Sequence, residues 1–342
     1  MAAASTAAVR RMDFTPPILC GAGGACPRID AEDDKPMAEA QHLRVPAELA
    51  GVRLDRALAA LAEASSRRAV KEAILAGEVA VAGEVVTNPR HAVAEGDAIE
   101  ARLAAPVLAE QVAPAAAELA VHAEDEEYFI IDKPPGLVMH PARGHALDTL
   151  ANAIAALCPR AAALPRAGVV HRLDKDTSGL VAVARTERAR ASLAAQFHDR
   201  AAARHYWTIV HGCPPATGLV DRAIGRDRAN RLKMAVHAAG RAAVTRYEVL
   251  AAAGAYALLR CELQSGRTHQ IRVHLEHAGH PVAGDRQYRR HARAEGGAFG
   301  RQMLHARGLG FAHPADGGWK EYEARPPADF MQALEDVGLR AP

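Results

Sequence analysis

Apolar and polar residues show the first regular pattern between residues 42 and 103. Apolar residues recur at helical spacing from 52 to 61 and predict one helix. Ser65-Ser66 is a capping signal for a second helix, which Gly77 ends. The alternating run VAVAG at 79–83 then predicts a hairpin arm. This part of the chain is therefore expected to form one small α/β unit.

The second half of the chain alternates strand-like runs with helical runs. Helices are predicted at 149–158 and 187–197. The runs that predict strands or strand ends are 128–133, 136–140, 179–185, 206–212, 245–250, 256–263 and 268–275. Because short turns rather than regular helical crossovers separate many of them, we expect an α+β fold. Its sheet should be mixed and mostly antiparallel.

Two stretches show neither the helical nor the strand spacing of apolar residues, and they divide the chain. Residues 1–41 combine consecutive prolines, a glycine cluster and an acidic run, so a disordered N-terminal tail is expected. Met37 offers an alternative start to Met1. Residues 104–120 are rich in alanine and proline and predict a linker. Residues 121–335 should then form the second domain.

Composition excludes several classes of protein. A length of 342 residues suggests about two domains, and 49% hydrophobic with 24% charged residues is ordinary for a globular protein. A net charge of +2 excludes a histone-like protein but leaves locally basic RNA-binding surfaces open. No apolar run reaches the roughly 18 residues of a membrane span. Five scattered cysteines fit a reducing, cytoplasmic setting.

The strongest candidate chemistry lies in PRAGVVHRLDKDTSGL at 165–180. Asp174 stands between Arg172 and Lys175 and precedes a Thr-Ser-Gly turn, which is a typical place for a rigidly presented catalytic group. Taken alone, such an aspartate is more readily explained as a structural salt bridge in a turn. Two more patterned stretches follow it, ARHYWTIVHG at 203–212 and QSGRTHQIRVHL at 264–275.

Together these stretches resemble the RluA family of pseudouridine synthases, whose signature is HRLD-x-x-TSG. The resemblance covers residues 120 to 330 and implies a pseudouridine synthase catalytic domain. Within the family it is greatest to the type that modifies a stem-loop of large-subunit (23S) rRNA. The order of elements in residues 42–103 is similar to the S4 RNA-binding domain, which precedes the catalytic domain in the large-subunit rRNA enzymes.

The resemblance also implies roles for individual residues. Asp174 would be the catalytic carboxylate, acting near C1′ and C2′ of the target nucleotide as nucleophile or as base. Arg272 would be its cationic partner, and Tyr206 would stack on the uracil and assist loss of the C5 proton. Arg172 would fill the place that the flipped base leaves. The isomerisation involves neither redox change nor hydrolysis, so no cofactor is expected.

Further residues are implied to contact RNA. They are Arg67, Arg68 and Lys71 in the S4-like unit, with Arg267 and His269 in the catalytic domain. Contacts of basic helix residues with phosphates position the protein and carry little sequence information. Arginines also gather at 221–233 and 286–307, where they either grip an RNA backbone or are simply solvated.

Two other functions remain open from the sequence. The first is a non-catalytic RNA-binding or ribosome-assembly factor, which would have no need of Asp174. The second is a metallohydrolase built on the histidines between 269 and 280, but on a strand His269 and His274 would point to opposite faces. No metal site is therefore expected. The expected protein is a monomeric RNA pseudouridine synthase that needs neither membrane nor metal.

Overall fold

The computed structural model describes residues 40–62, 67–103, 112–115, 118–142, 144–290 and 299–342. The chain divides into two compact units between residues 110 and 111. The predicted tail, up to residue 39, and the predicted cap Ser65-Ser66 lie outside the described residues. Within them, no helix is long and apolar enough to cross a lipid bilayer.

The first unit packs two helices against a four-stranded sheet. In chain order its elements are β1 (Gln41–Arg44), α1 (Leu54–Leu61), α2 (Arg67–Ala76), β2 (Val79–Val81), β3 (Glu84–Val85) and β4 (Ala98–Ala101). The strands pair in the antiparallel order β1-β4-β2-β3. Leu54, Leu58, Ile74 and Ile99 are fully buried between helices and sheet. The two helices and the strands of this unit, including the predicted hairpin arm, therefore share one apolar core.

The second unit is built on a nine-stranded sheet. In chain order its elements are β5 (Ala120–Glu124), β6 (Tyr128–Lys133), α3 (Leu150–Leu157), α4 (Pro159–Ala162), β7 (Ser178–Ala184), α5 (Glu187–His198), β8 (Ala203–His211), β9 (Thr217–Asp221), β10 (Ile224–Arg226), β11 (Met234–Val236), β12 (Val244–Ala253), β13 (Tyr256–Leu263), α6 (Gln270–His277), β14 (Leu304–Ala312), β15 (Trp319–Glu323) and α7 (Ala328–Asp336). The sheet order is β5-β6-β7-β14-β8-β13-β12-β9, with β15 paired to β14, and β10 and β11 form a separate hairpin.

Strand direction confirms the predicted fold class. Every pairing in the large sheet is antiparallel except that between β7 and β14. This parallel pair is unusually close, because a Cβ on Gly179 would lie 2.3 Å from the carbonyl oxygen of Ala306. The φ of Gly179 is +111°, which also favours glycine. The protein is thus α+β with a mixed, mostly antiparallel sheet.

The prediction of a strand at 268–275 is wrong, because this segment enters α6. All side chains from Gln270 to Leu275 are buried. The polar members of the alternation, Arg272 and His274 among them, are accommodated by internal hydrogen bonds. A helix that is buried on all sides does not show apolar residues every three to four positions. In α6 apolar and polar residues alternate instead, which is the pattern expected of a strand.

The prediction of a strand at 136–140 is also wrong. The Nζ of Lys133 donates hydrogen bonds to the carbonyls of Pro134 and Leu137 at 2.7 and 3.0 Å, so the backbone turns around a buried ammonium. Gly136 has a φ of +86° in this turn. Val138 retains only an isolated bridge to Thr149.

Part of the predicted linker packs on the second unit. The side chain of Asn152 in α3 donates to the carbonyl of Ala113 at 2.7 Å, and Ala115 N–H donates to the carbonyl of Asn152 at 3.2 Å. Asn152 also takes part in the capping box of α3 with Thr149. Residues 112–115 are therefore ordered against this helix.

Three histidines of the second unit are neutral because they are buried or partly buried. Burial lowers the pKa of His171 to about 3 and the pKa values of His140 and His305 to about 4. The Nε2 atom of His171 accepts a hydrogen bond from Ala182 N–H at 2.8 Å, which requires an unprotonated nitrogen. An unfolded chain would protonate these residues near pH 6.5, so it binds more protons than the folded protein in mild acid.

We expect the free energy of unfolding to fall as pH is lowered from about 6.5 to about 4. Each histidine should contribute a slope of up to about 1.4 kcal/mol per pH unit. Urea denaturation across this range measures the slope. His171→Gln, which retains an acceptor but does not titrate, should make it shallower, whereas the exposed control His198→Gln should not. An unchanged slope in His171→Gln would assign the acid sensitivity to other groups.

Candidate active site

Asp174 lies in the turn before β7, and its side chain is 14% exposed. Arg272, 98 residues further along the chain, donates from Nη1 to Asp174 Oδ2 at 2.9 Å. The other carboxylate oxygen, Oδ1, lies 3.9 Å from His269 Nε2, which is too long for a hydrogen bond. The structure thus brings these three predicted residues together and leaves one oxygen of Asp174 open toward the histidine.

A second carboxylate fixes the Arg272 guanidinium. Its Nε and Nη2 atoms donate to the two oxygens of Asp285 at 2.6 and 3.0 Å. The ring of Tyr288 lies 5.0 Å from the guanidinium carbon. Burial alone would lower the pKa of Arg272, but its hydrogen bonds and charge pairing with Asp285 and Asp174 raise it. Arg272 is therefore a permanent cation in one orientation.

Asp285 has no signal in the hydrophobic pattern of the sequence. It lies in a glycine-containing turn, and its side chain is completely buried. Beyond Arg272, its Oδ1 accepts from the backbone N–H groups of Gln287 and Tyr288 at 2.8 and 3.0 Å. Its partner in α6 is 13 residues away, so only the tertiary structure reveals the pair.

His269 is a neutral group at the start of α6. Burial lowers its pKa, the charges of Arg272 and Arg172 act in the same direction, and Asp174 opposes them. The Tyr288 hydroxyl accepts from Met234 N–H and is 2.8 Å from His269 Nδ1. If that hydroxyl donates to Nδ1, the imidazole proton lies on Nε2, the nitrogen that faces Asp174.

Tyr206 is a core aromatic residue whose hydroxyl is affected by the charge of Asp174. It lies on β8, is 6% exposed and packs within the main apolar cluster. Burial raises the pKa of its hydroxyl, the charge of Asp174 acts in the same direction, and Arg204 opposes both. The hydroxyl therefore stays protonated near neutral pH.

Comparison with known proteins identifies the family. Residues 127–277 match the RNA pseudouridylate synthase family, and residues 52–99 match the S4 domain. The chain is 39% identical to ribosomal large subunit pseudouridine synthase D of Neisseria meningitidis serogroup A, covering 91% of this chain and 87% of that one. It is 42% identical to the Pseudomonas aeruginosa protein of the same name, covering 85% and 93%. The chain belongs to the RluA family of RNA pseudouridine synthases.

A solved structure agrees with this assignment. Human RNA pseudouridylate synthase domain containing 4 is similar with a TM-score of 0.50 and 26% identity, over 65% of this synthase and 94% of the human chain. The synthase is thus an isomerase with an S4 domain in its first unit. The region matched in the second unit contains Asp174, Tyr206 and Arg272, but it ends before Asp285.

A buried lysine supports the turn that carries Asp174 in this synthase. Lys133 is completely buried, and its Nζ donates to the carbonyl of Lys175 at 2.9 Å. Burial lowers its pKa to about 7, while the nearby charge of Asp176 favours the ammonium. A lysine at the end of an apolar strand is the only sequence signal for this contact.

A buried arginine supports the same turn from the other end. Arg301 donates to the carbonyl of Asp176 at 2.9 Å and to both oxygens of Asp329 in α7 at 2.6 and 3.1 Å. It belongs to the arginine-rich stretch 286–307, yet these bonds engage it inside the synthase. Arg307 is likewise engaged, with Glu323 at 3.1 Å. Residue type alone does not separate such arginines from RNA-binding ones.

The remaining predicted contact residues occupy different surroundings. Arg172 is exposed, and its charge lowers the pKa values of both His140 and His269. Arg267 donates from Nε to the carbonyl of Ala242 at 3.3 Å. In the S4 domain, Lys71 is exposed on α2, whereas the side chains of Arg67 and Arg68 lie outside the described part of the synthase.

His269 and His274 do not lie on a strand as predicted, because His269 is the N-cap of α6 and His274 lies within this helix. On α6, His274 is completely buried, and both ring nitrogens are engaged. Nδ1 lies 2.9 Å from the Thr245 hydroxyl, and Nε2 lies 2.9 Å from the Arg222 carbonyl. Among the residues that the structure describes, no group of three or more His, Cys, Asp or Glu side chains could hold a metal ion.

Proposed function

We propose that this synthase converts specific uridines of large-subunit ribosomal RNA to pseudouridine. The observation that carries the proposal is the Asp174 carboxylate, which Arg272 holds through one oxygen while Asp285 fixes Arg272. The relatives from Neisseria meningitidis and Pseudomonas aeruginosa are named as ribosomal large subunit enzymes, which supports the choice of RNA.

The proposed reaction is an isomerisation in which no atom is lost. The C1′–N1 bond of uridine breaks, the uracil turns, and a C1′–C5 bond forms. The proton on C5 leaves, and N1 gains one, so no oxidant or reductant is required. Asp174 Oδ1 supplies the reacting carboxylate oxygen, because Oδ2 is bonded to Arg272. Arg272 holds the Asp174 carboxylate through a hydrogen bond, and the protonated hydroxyl of Tyr206 would take part in proton movement.

The target base must leave its stack before it reaches Asp174. Flipping costs a few kcal/mol, and a side chain that fills the vacated place offsets part of this cost. We assign this role to Arg172, which is exposed two residues before the carboxylate. Its planar guanidinium suits both stacking and phosphate binding.

The S4 domain supplies additional binding in this proposal. Arg67, Arg68 and Lys71 belong to α2 and would contact phosphates of a stem-loop. Asp174, Tyr206, Arg272 and His269 all come from the second unit of one chain, which supports a monomeric enzyme.

The direct test uses purified full-length synthase and transcripts of large-subunit and small-subunit rRNA from the same genome. We expect pseudouridine at a small number of positions in the large-subunit transcript and at none in the small-subunit one. Chemical mapping of pseudouridine after each incubation measures this. Modification confined to small-subunit rRNA or to transfer RNA would contradict the proposed substrate while leaving the reaction in place.

A further inference from the structure

Three arginines from separate parts of the chain bring positive charge to the segment before α6. Arg200 follows α5, Arg241 precedes β12, and Arg267 precedes α6. The bond from Arg267 Nε to the carbonyl of Ala242 holds Arg267 against the segment that carries Arg241. Burial lowers the pKa of Arg267, and the positive charges of Arg241 and Arg200 lower it further. We call these three residues the arginine cluster.

The arginine cluster differs from nearby arginines in having no acidic partner. Arg188 and Arg190 in α5 pair with Glu127 and Glu187, respectively. Within the described ranges, Arg200, Arg241 and Arg267 form no ion pair with a carboxylate. Like charges held close together without an anion are unfavourable, and a bound anion would relieve their repulsion.

A fourth, buried arginine adds to the positive charge of this region. Arg204 is 8% exposed, and its Nε and Nη2 atoms have no hydrogen-bond partner among the described residues. It packs against the segment that carries Arg267, because a Cβ on Gly266 would lie 2.6 Å from its Nη1. A guanidinium buried without a carboxylate raises the local positive potential. Arg204 also joins the turn after α5, which carries Arg200, to the segment before α6.

Arg267 of the arginine cluster is close along the chain to the histidine that faces the reacting carboxylate. Arg267 is two residues before His269, whose Nε2 is 3.9 Å from Asp174 Oδ1. Two residues span at most about 7 Å of chain. We therefore infer that a group bound at Arg267 belongs to the same RNA strand as the nucleotide at Asp174.

We propose that Arg200, Arg241 and Arg267 form a binding site for a backbone phosphate of the RNA strand beside the target uridine. The guanidinium fork matches phosphate oxygens in geometry and charge. A phosphate contact fixes the position of the strand without reading its sequence. This inference rests on the proposed function, because it takes RNA as the substrate of the nearby carboxylate.

The test compares the full-length synthase with an Arg200→Gln/Arg241→Gln double variant. Equilibrium binding of a large-subunit rRNA fragment is measured over a series of salt concentrations. We expect weaker binding at low salt and a slope of log K against log salt that is smaller by about 1. The KM for RNA should rise while kcat stays near that of the unmodified enzyme, because neither residue touches Asp174.

Two further variants keep the result interpretable. Arg340→Gln removes an exposed arginine outside the cluster and should leave the slope unchanged. Arg200→Lys/Arg241→Lys retains the charge and should restore most of the slope. An unchanged slope and affinity in the glutamine double variant would overturn the phosphate site. Failure of the unmodified enzyme to form pseudouridine in rRNA would overturn the proposed function instead, while the comparison of slopes would still decide the site.

Discussion

Asp174→Asn is expected to abolish pseudouridine formation, lowering turnover by at least about 10³-fold. The amide has the shape of the carboxylate and still offers an oxygen to Arg272, which donates to Oδ2 at 2.9 Å in the unmodified protein. It cannot act as an anionic nucleophile or as a base. RNA binding should be retained, because phosphate contacts elsewhere supply most of the affinity.

Release of tritium from RNA labelled at C5 of uridine measures this loss. Asp336→Asn is the matched control, because Asp336 is an exposed carboxylate at the end of α7 and should retain full activity. Near-normal turnover in Asp174→Asn would contradict the assignment of Asp174 as the catalytic carboxylate. An unmodified chain that binds rRNA but never releases tritium would instead support the RNA-binding factor left open by the sequence.

Arg272→Gln is expected to lower both activity and stability. The substitution would leave the carboxylates of Asp174 and Asp285 in a buried region without their shared cation. Removing one partner of a buried ion pair costs about 3–5 kcal/mol. The loss of a preorganised charge at the reacting group should reduce kcat by at least about 10²-fold.

Urea denaturation and the tritium assay measure the two effects separately. Arg246→Gln removes an exposed arginine of β12 and serves as the control. Arg272→Lys keeps a positive charge but not the paired bonds to Asp285, so it should recover stability more than activity. If Arg272→Gln does not fold, Asp285→Asn tests the same arrangement and should lower kcat with little change in RNA binding. Full activity in Asp285→Asn would show that the orientation of Arg272 is not required.

The fold was predictable where the hydrophobic pattern reports burial on one or both faces of a strand. Runs such as 128–133 and 256–263 are strands because apolar side chains dominate them. The pattern failed for α6, where polar side chains are buried by internal hydrogen bonds and remove the helical period. It failed again at 136–140, where a buried lysine turns the backbone.

The candidate site was predictable only in part. Asp174 and Arg272 follow from resemblance to a family, since a lone aspartate beside an arginine is more readily explained as a salt bridge. The salt-bridge and the catalytic interpretations both apply in the structure. Asp174 forms an ion pair with Arg272, and this pair is the proposed catalytic group. The hydrophobic pattern did not reveal the role of Asp285, and the arginine-rich stretch that contains Arg301 suggested RNA contact instead. Their contacts with Arg272 and Asp176 cross 13 and 125 residues of chain.

The close approach of β7 and β14 bears on how such proteins are recognised. Gly179 closes the Thr-Ser-Gly part of the signature, and any larger residue there would collide with the Ala306 carbonyl. Gly179 is therefore required by the packing of the sheet, whereas the proposed chemistry rests on Asp174, in the other half of the signature. A chain that kept Gly179 and lost the Asp174 carboxylate would still fold. It would still match most of the family signature. Searches that weight the whole signature evenly will gather inactive proteins, and the aspartate must be checked by itself.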